Sequence, residues 1–212
     1  MRPILFFISA LLLLTRSLSG QDDKEAIRIL DNFSANALRA PSVTMKFQLV
    51  TANQMENTKD SITGSIILSK DKYRLEMTGN TVWFNGETSW NYLSAENEVT
   101  ITKADRKNNS FQNRPSLIFS MYKDGYKCRF VEERSESYLI DLYPKDIKND
   151  LLRVRLSIGK PMMNLKSLEY KKRDGIVITL NVIEYDLKIK AEPDFFIFHP
   201  GKYKGAEVID MR

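Results

Sequence analysis

The chain has one cysteine and one histidine among its 212 residues. Cys128 has no partner for an internal disulfide, so stability has to come from burial. Within the strand-like run Tyr126-Lys-Cys-Arg-Phe130 it reads as a small buried side chain. His199 alone rules out a multi-histidine metal site and any HExxH motif. Between Phe198 and Pro200 it reads as a surface or capping residue. No GxSxG nucleophile elbow, P-loop or dinucleotide fingerprint occurs. Carboxylates such as Glu76, Asp141 and Asp174 read as turn or solvent-face residues, and no two of them are marked out as a glycosidase pair. The expectation is a non-enzyme with no metal and no cofactor. Charge of one sign is lacking too. Lys and Arg number 32 against 27 Asp and Glu, and the net +5 is spread along the chain. Nucleic acid would call for a clustered basic stripe, so no nucleic-acid partner is expected.

Long hydrophobic runs are absent apart from Ile4–Leu14, which is short of the about 20 apolar residues that a spanning helix needs. That run follows the basic Met1-Arg2 and precedes the small residues Ser17-Leu18-Ser19-Gly20, the pattern of a cleavable secretory signal. Residues 1–20 are therefore expected to be removed, with the mature chain beginning near Gln21 as an exported, soluble, single-domain protein, residues 21–212. No cysteine follows the apolar run, so lipid modification is not expected there. Loss of Arg2 and Arg16 leaves a mild positive bias.

What the chain does have is strand pattern. Ser61–Tyr92 reads as four short strands with apolar residues at nearly every second position. Ile62, Gly64, Ile66 and Leu68 share a face; Tyr73, Leu75 and Met77 then alternate with Lys72, Arg74 and Glu76. Lys70-Asp71 and Thr78-Gly79-Asn80 are turn candidates. Asn85-Gly86, between Trp83-Phe84 and Trp90/Tyr92, is the signature of a two-residue type I′ hairpin. The reading is a meander with one aromatic-rich face. Before it, Asp22–Leu38 is an amphipathic helix with Ile27, Leu30, Phe33 and Ala37 on one side, stopped ahead of Pro41. Val43, Met45, Phe47 and Leu49 mark a half-buried strand, and Thr51–Asp60 reads as a polar connection.

After Val99 and Ile101 comes a charged, Asn-rich loop, Lys103–Arg114. Pro115 then opens a short helix whose apolar residues Leu117, Ile118, Phe119, Met121 and Tyr122 go most of the way round, so something must cover it. Strand patterns return at Tyr126–Glu132, Tyr138–Tyr143, Leu152–Ile158, Leu165–Lys171 and Ile176–Glu184, with Leu187/Ile189 continuing the sheet. Glu192–Asp194 reads as a helical turn and Phe195–Phe198 as a final apolar strand. About ten short strands with two inserted helices predict a mainly β fold, a half-open, strongly curled antiparallel barrel. The apolar face under the helices is either an ordinary core or a cavity for lipid chains.

In order and spacing, these pieces resemble the LolA family of periplasmic outer-membrane lipoprotein carriers. The resemblance runs through the helix Ala26–Leu38, the strand with Met45 and Phe47, and Gly64-Ser-Ile-Ile-Leu-Ser-Lys70. It continues in Trp83-Phe-Asn-Gly-Glu-Thr-Ser-Trp-Asn-Tyr92, Pro115-Ser-Leu-Ile-Phe119, Phe196-Ile-Phe-His-Pro200 and Val208-Ile-Asp-Met-Arg212. It implies a half-open barrel closed by helices over an acyl-binding cavity. It further implies transfer of acylated lipoproteins, or other lipids, from an inner-membrane ABC-type releasing complex to an outer-membrane acceptor. The setting would be the periplasm of a Gram-negative bacterium and the carrier a monomer. Carried over residue by residue, Tyr73, Leu75 and Met77 would line the cavity and Leu117, Ile118 and Phe119 the lid, with Phe47, Trp90 and Met121 expected beside them. Lys70 stands where the family has a basic lid latch, usually Arg followed by Pro, and Arg74 is a second latch candidate. The alternatives are a periplasmic sensor or interaction domain on the same fold, and a carrier of another lipid or glycolipid.

Overall fold

The computed structural model describes residues 23–104 and 114–212. The expected signal peptide and most of the Lys103–Arg114 loop lie outside the described residues. The chain starts with helix α1, Lys24–Arg39. Asp23 caps it, its Oδ1 accepting from the Glu25 amide at 2.9 Å and the Ala26 amide at 3.5 Å, which satisfies donors that would otherwise be orphaned at a helix start. The helix buries Ala26, Ile29, Leu30, Phe33 and Ala37 along one stripe and ends two residues before Pro41.

Twelve strands follow, all in one sheet. They are β1 Val43–Asn53, β2 Thr58–Ser69, β3 Lys72–Met77, β4 Asn80–Phe84, β5 Thr88–Leu93, β6 Glu98–Lys103, β7 Tyr126–Glu133, β8 Ser137–Pro144, β9 Leu151–Gly159, β10 Asn164–Lys172, β11 Ile176–Asp186 and β12 Glu207–Asp210. Their order is β12-β6-β5-β4-β3-β2-β1-β11-β10-β9-β8-β7, antiparallel at every step except the parallel β12–β6 pair. The sheet curls around α1 without closing, so β7 and β12 are its edge strands, and Asp23 bonds to the backbone of Cys128 and Phe130 along β7. Two hairpin meanders are thus joined at the centre by the long β1–β11 pair. Between β6 and β7 the chain crosses the inner, helix-bearing face as two 3-10 turns, Pro115–Phe119 and Met121–Lys123. Between β11 and β12 a strap with 3-10 turns Pro193–Phe196 and Pro200–Lys202 runs over the outer face.

Several local expectations need correction. Thr51–Asp60 is mostly strand, because β1 and β2 extend to a short turn at residues 54–57. The second helix is two 3-10 turns, too short and too apolar to stand without packing. The pair Leu187/Ile189 lies beyond the last strand residue, Asp186. Phe195–Phe198 is not a strand: Pro193 and Pro200 fence it, and the turn it makes packs against β3 and β4. The final strand lies farther on, at β12. The β4–β5 hairpin has three loop residues rather than two. Asn85 Oδ1 accepts from the amides of Glu87 at 3.0 Å and Thr88 at 2.8 Å, and only Gly86 takes a positive φ, 98°. An Asx turn therefore replaces the type I′ geometry.

The main core lies between α1, the 115–123 turns and the inner face. Ile140, Leu142, Val154, Leu156, Ile158, Leu165 and Leu168 have no measurable exposure. At about 1.5–3 kcal/mol for each large side chain fully buried, this layer holds the sheet against the helix. Gly64 has a steric role here. A Cβ at that position would fall 2.8 Å from Phe47 Cζ and 2.7 Å from the Glu76 carbonyl oxygen. Its absence lets Phe47 lie across β2 next to the β1 bulge at Lys46/Phe47.

Candidate functional site

Strand parity decides which residues reach the inner face. Phe47, Tyr73, Ile118 and Phe119 are buried in the main core, and Leu75, Met77 and Met121 are half-buried against it. Leu117 is also half-buried. Seven of these expected cavity residues, all but Leu117, come together in one cluster. Trp90 does not. It faces Trp83 and Ile101 across the outer side of β4–β6 and packs in a second cluster with Trp83, Val99, Ile101 and Phe198. The expectation was one aromatic-rich face over residues 61–92, with Trp90 lining the cavity. In the fold, Phe84 turns inward and both tryptophans turn outward.

Neither latch candidate reaches the 115–123 turns. Lys70 sits in the β2–β3 turn with φ 56°, and among the described residues it makes no hydrogen bond or ion pair. Arg74 alternates with Tyr73 and so lies on the outer face. It pairs with Glu76 and stacks 4.7 Å from the Phe195 ring centroid and 5.5 Å from that of Trp83. It secures the strap and cannot hold the lid.

The contact that does tie the 3-10 turns to the helix comes from elsewhere. Tyr122 OH donates to Asp31 Oδ1 of α1 at 2.5 Å. Burial, followed by this hydrogen bond, raises the Tyr122 phenol above its ordinary range. Phe119 stacks on Phe33 at 5.4 Å between centroids, and Cys128 Sγ reaches the Tyr122 carbonyl at 3.7 Å. Cys128 is buried, in line with its sequence reading. Sequence spacing could not reveal the Tyr122–Asp31 pair, because 91 residues separate its members.

The chemistry of the inner face is uniformly apolar. Burial lifts the Tyr73 phenol to about 12 and raises Tyr126, Tyr170 and Tyr185 as well. Leu49, Met77, Met121, Tyr126, Leu151 and Tyr170 are packed against the core yet partly exposed, and Ile62, paired with Leu49, is 41% exposed. The apolar interior thus continues to the surface. A groove of about 350 Å³ touches Phe47 and Met77 next to Gly64, with Lys46, Glu76 and Ile183 at its margin. Among the described residues no group of three or more His, Cys, Asp or Glu could hold a metal ion, and no helix is long and apolar enough to cross a membrane. His199 is partly exposed, with Nε2 3.1 Å from Asp194 Oδ2. Asp141 departs from the sequence reading: it is a buried carboxylate, 2% exposed.

An open, curled sheet with a helix and short turns laid over an apolar inner face defines a class of half-barrel binding folds. The profile of the family described as outer membrane lipoprotein carrier protein LolA matches residues 17–175, well over half of the chain, and the chain belongs to that family. No curated protein matches the sequence. An uncharacterized conserved protein from Thermus thermophilus has a similar structure, with TM-score 0.60 and 16% identity over 88% of this chain and 99% of that one. A LolA superfamily protein from Nitrosomonas europaea is more distant, with TM-score 0.43 and 12% identity over 82% of this chain and 97% of the other. The lipoprotein LppX of Mycobacterium tuberculosis gives TM-score 0.45 and 9% identity over 81% of this chain and 100% of that chain.

Proposed function

We propose that this protein is a non-enzymatic periplasmic carrier that takes up the acyl chains of lipoproteins, or of another lipid cargo, beneath its 115–123 turns. A cleavable signal would export it. Release from an inner-membrane ABC-type complex and delivery to an outer-membrane acceptor would bracket its work as a monomer. The observation that carries the reading is the continuous apolar path from the half-buried rim at Leu49, Met77 and Met121 to the core beneath Ile118 and Phe119. Family membership supports the same task.

The energetics suit a shuttle. An acyl chain of about 16 carbons gains about 13 kcal/mol on leaving water, at about 0.8 kcal/mol per methylene. A cargo of that kind does not cross an aqueous space unaided. The interior is packed with the protein's own side chains, including Phe119 against Phe33. Uptake must therefore displace a cover, and a cover made of two 3-10 turns has few internal hydrogen bonds to lose.

The test is titration of the purified protein with a fluorescent diacylated lipopeptide, comparing Ile118→Leu and Ile118→Asp with the parent. Leucine keeps apolar bulk and should bind nearly as well. Aspartate puts a carboxylate into the apolar interior and should weaken binding about 5- to 150-fold, given about 1–3 kcal/mol for an unsatisfied buried polar group. A folded Ile118→Asp protein with unchanged affinity removes Ile118 from the site. A parent protein that ignores the lipopeptide altogether refutes the carrier reading.

A further inference from the structure

The strap covers the outer face of β3–β6; among the described residues nothing covers the outer face of β7–β10, and that half is a cationic ladder. Register places Arg129, Asp141, Arg155 and Glu169 side by side across the four strands. In the neighbouring row, Lys127 lies beside Tyr143, and Arg153 beside Lys171. The inner-facing partners of these residues, among them Cys128, Ile140, Val154 and Leu168, fix the ladder on the opposite side of the sheet from the apolar interior.

Both carboxylates of the ladder are already engaged. Asp141 accepts from Arg155 Nε at 2.7 Å and Nη2 at 2.8 Å, and from Tyr143 OH at 3.1 Å. Arg153 Nε lies 3.8 Å from the same carboxylate, and its guanidinium bonds to Glu169. The two arginine side chains nonetheless remain 21% and 33% exposed. Among the described residues, Lys127, Arg129 and Lys171 have no ion-pair partner. Five cations therefore meet two carboxylates, and the surplus points to solvent.

We infer that this face docks an acidic, extended polypeptide segment of a partner protein. Cations two residues apart on one strand repeat every ~6.8 Å, the spacing of alternate side chains in another extended chain. The buried Asp141 holds Arg155 in a fixed orientation before any partner arrives, which reduces the side-chain ordering cost of binding. A bilayer is a poorer fit, because surface association needs apolar insertion beside the charge. Apolar exposure on the ladder strands is modest, Val131 at 39% and Tyr143 at 36%, and the two most exposed aliphatic side chains, Met55 and Ile147, sit on the 54–57 turn and the β8–β9 loop. This inference is independent of acyl binding, which uses the inner face.

The experiment uses the whole protein and a labelled 12-residue peptide alternating Glu and Ser, with a Gln-for-Glu peptide as control. Fluorescence anisotropy at low and moderate salt reads the affinity, and amide chemical shifts locate the contact. The acidic peptide should bind, weaken as salt screens the charges, and shift amides of β7–β10. The triple variant Lys127→Glu, Arg129→Glu, Lys171→Glu should lose affinity about tenfold or more, since several exposed charge pairs reverse at once. Arg129→Glu sets a second carboxylate beside the buried Asp141 and should lower the melting temperature. The neutral variant Lys127→Gln, Arg129→Gln, Lys171→Gln is therefore read beside it and should also lose peptide affinity while lipopeptide binding stays at the parental value. Equal binding of the acidic and Gln peptides, or of parent and triple variant, overturns the inference. So does binding to phosphatidylglycerol vesicles without binding to the peptide, which would make the face a membrane contact.

Discussion

The inner and outer faces of the sheet are both apolar where β3–β6 pass, yet they are covered in different ways. Inside, α1 and the 115–123 turns lie over Phe47, Tyr73 and Phe84, and the cover is a separate piece tied down by Tyr122 and Asp31. Outside, the strap wedges Phe198 and Tyr203 against Trp83 with ring centroids 5.4 and 5.5 Å apart, and Arg74 stacks on Phe195 and Trp83. The outer cover interlocks through rings and a buried cation stem and continues into β12 of the sheet itself. Of the inner cover, the 115–123 piece has only two short 3-10 turns of regular structure. One cover is continuous with the sheet and the other is a separate piece, and the proposed carrier would need that difference between its two sides.

The sharpest way to break that contrast is to remove one large ring from each face. Phe33 is fully buried in the inner core, and Phe33→Ala should lower the unfolding free energy by about 4 kcal/mol. Trp83→Ala deletes a comparably buried ring from the outer cluster and should cost about 3 kcal/mol. Its hydrogen-exchange losses should be confined to β4–β6, the strap and β12. If Trp83→Ala also accelerated exchange in residues 115–123, the two covers would form one cooperative unit, and the contrast would fail.

Strand parity made much of this legible beforehand. Val43, Met45, Phe47 and Leu49 alternate cleanly, and β1 carries that alternation into the core. The same parity rule places Arg74 opposite Tyr73 and Leu75, so its outward position could have been read from the sequence. What parity cannot tell is which face is the inner one when neighbours such as Trp83 and Phe84 are both large and apolar. Trp90 was misplaced for that reason. Phe195–Phe198 has the composition of a strand, and only its packing on Trp83 explains why it is a strap. Asp141 alternates like a solvent-face residue, and Arg155, fourteen positions away, makes its burial tolerable. Long-range partners of this kind leave no local trace.

A smaller test addresses the inner cover directly. Tyr122→Phe keeps the ring in the core and deletes the hydroxyl that donates to Asp31. The loss should be about 1 kcal/mol, the usual worth of one hydrogen bond, and should appear mainly as faster exchange in residues 117–124. Lipopeptide uptake should speed up with little change in overall stability. An unchanged exchange profile would mean that packing of Ile118 and Phe119 alone keeps the cover down.

The smallest effect belongs to the other edge, where the outer cover ends. Bonds from the Arg212 side chain, and then from its backbone amide, depress the Asp210 carboxyl from 3.8 to about 2. A carboxylate depressed in the folded state contributes stability that is fully present above its unfolded pKa and is lost as pH falls through the folded value. The window is therefore about pH 4 down to about pH 2. Both groups stand in water, where screening keeps such a pair weak. The response should accordingly be local: amides of β12 fray in that window, while β1 and β11 hold. Arg212→Ala should bring the midpoint of fraying up toward about pH 4, the ordinary aspartate range. A midpoint unmoved by that substitution would show that β12 is held by its backbone bonds to β6, such as the Met211 amide to the Ile101 carbonyl at 2.9 Å. The charge pair at its end would then contribute nothing to the hold.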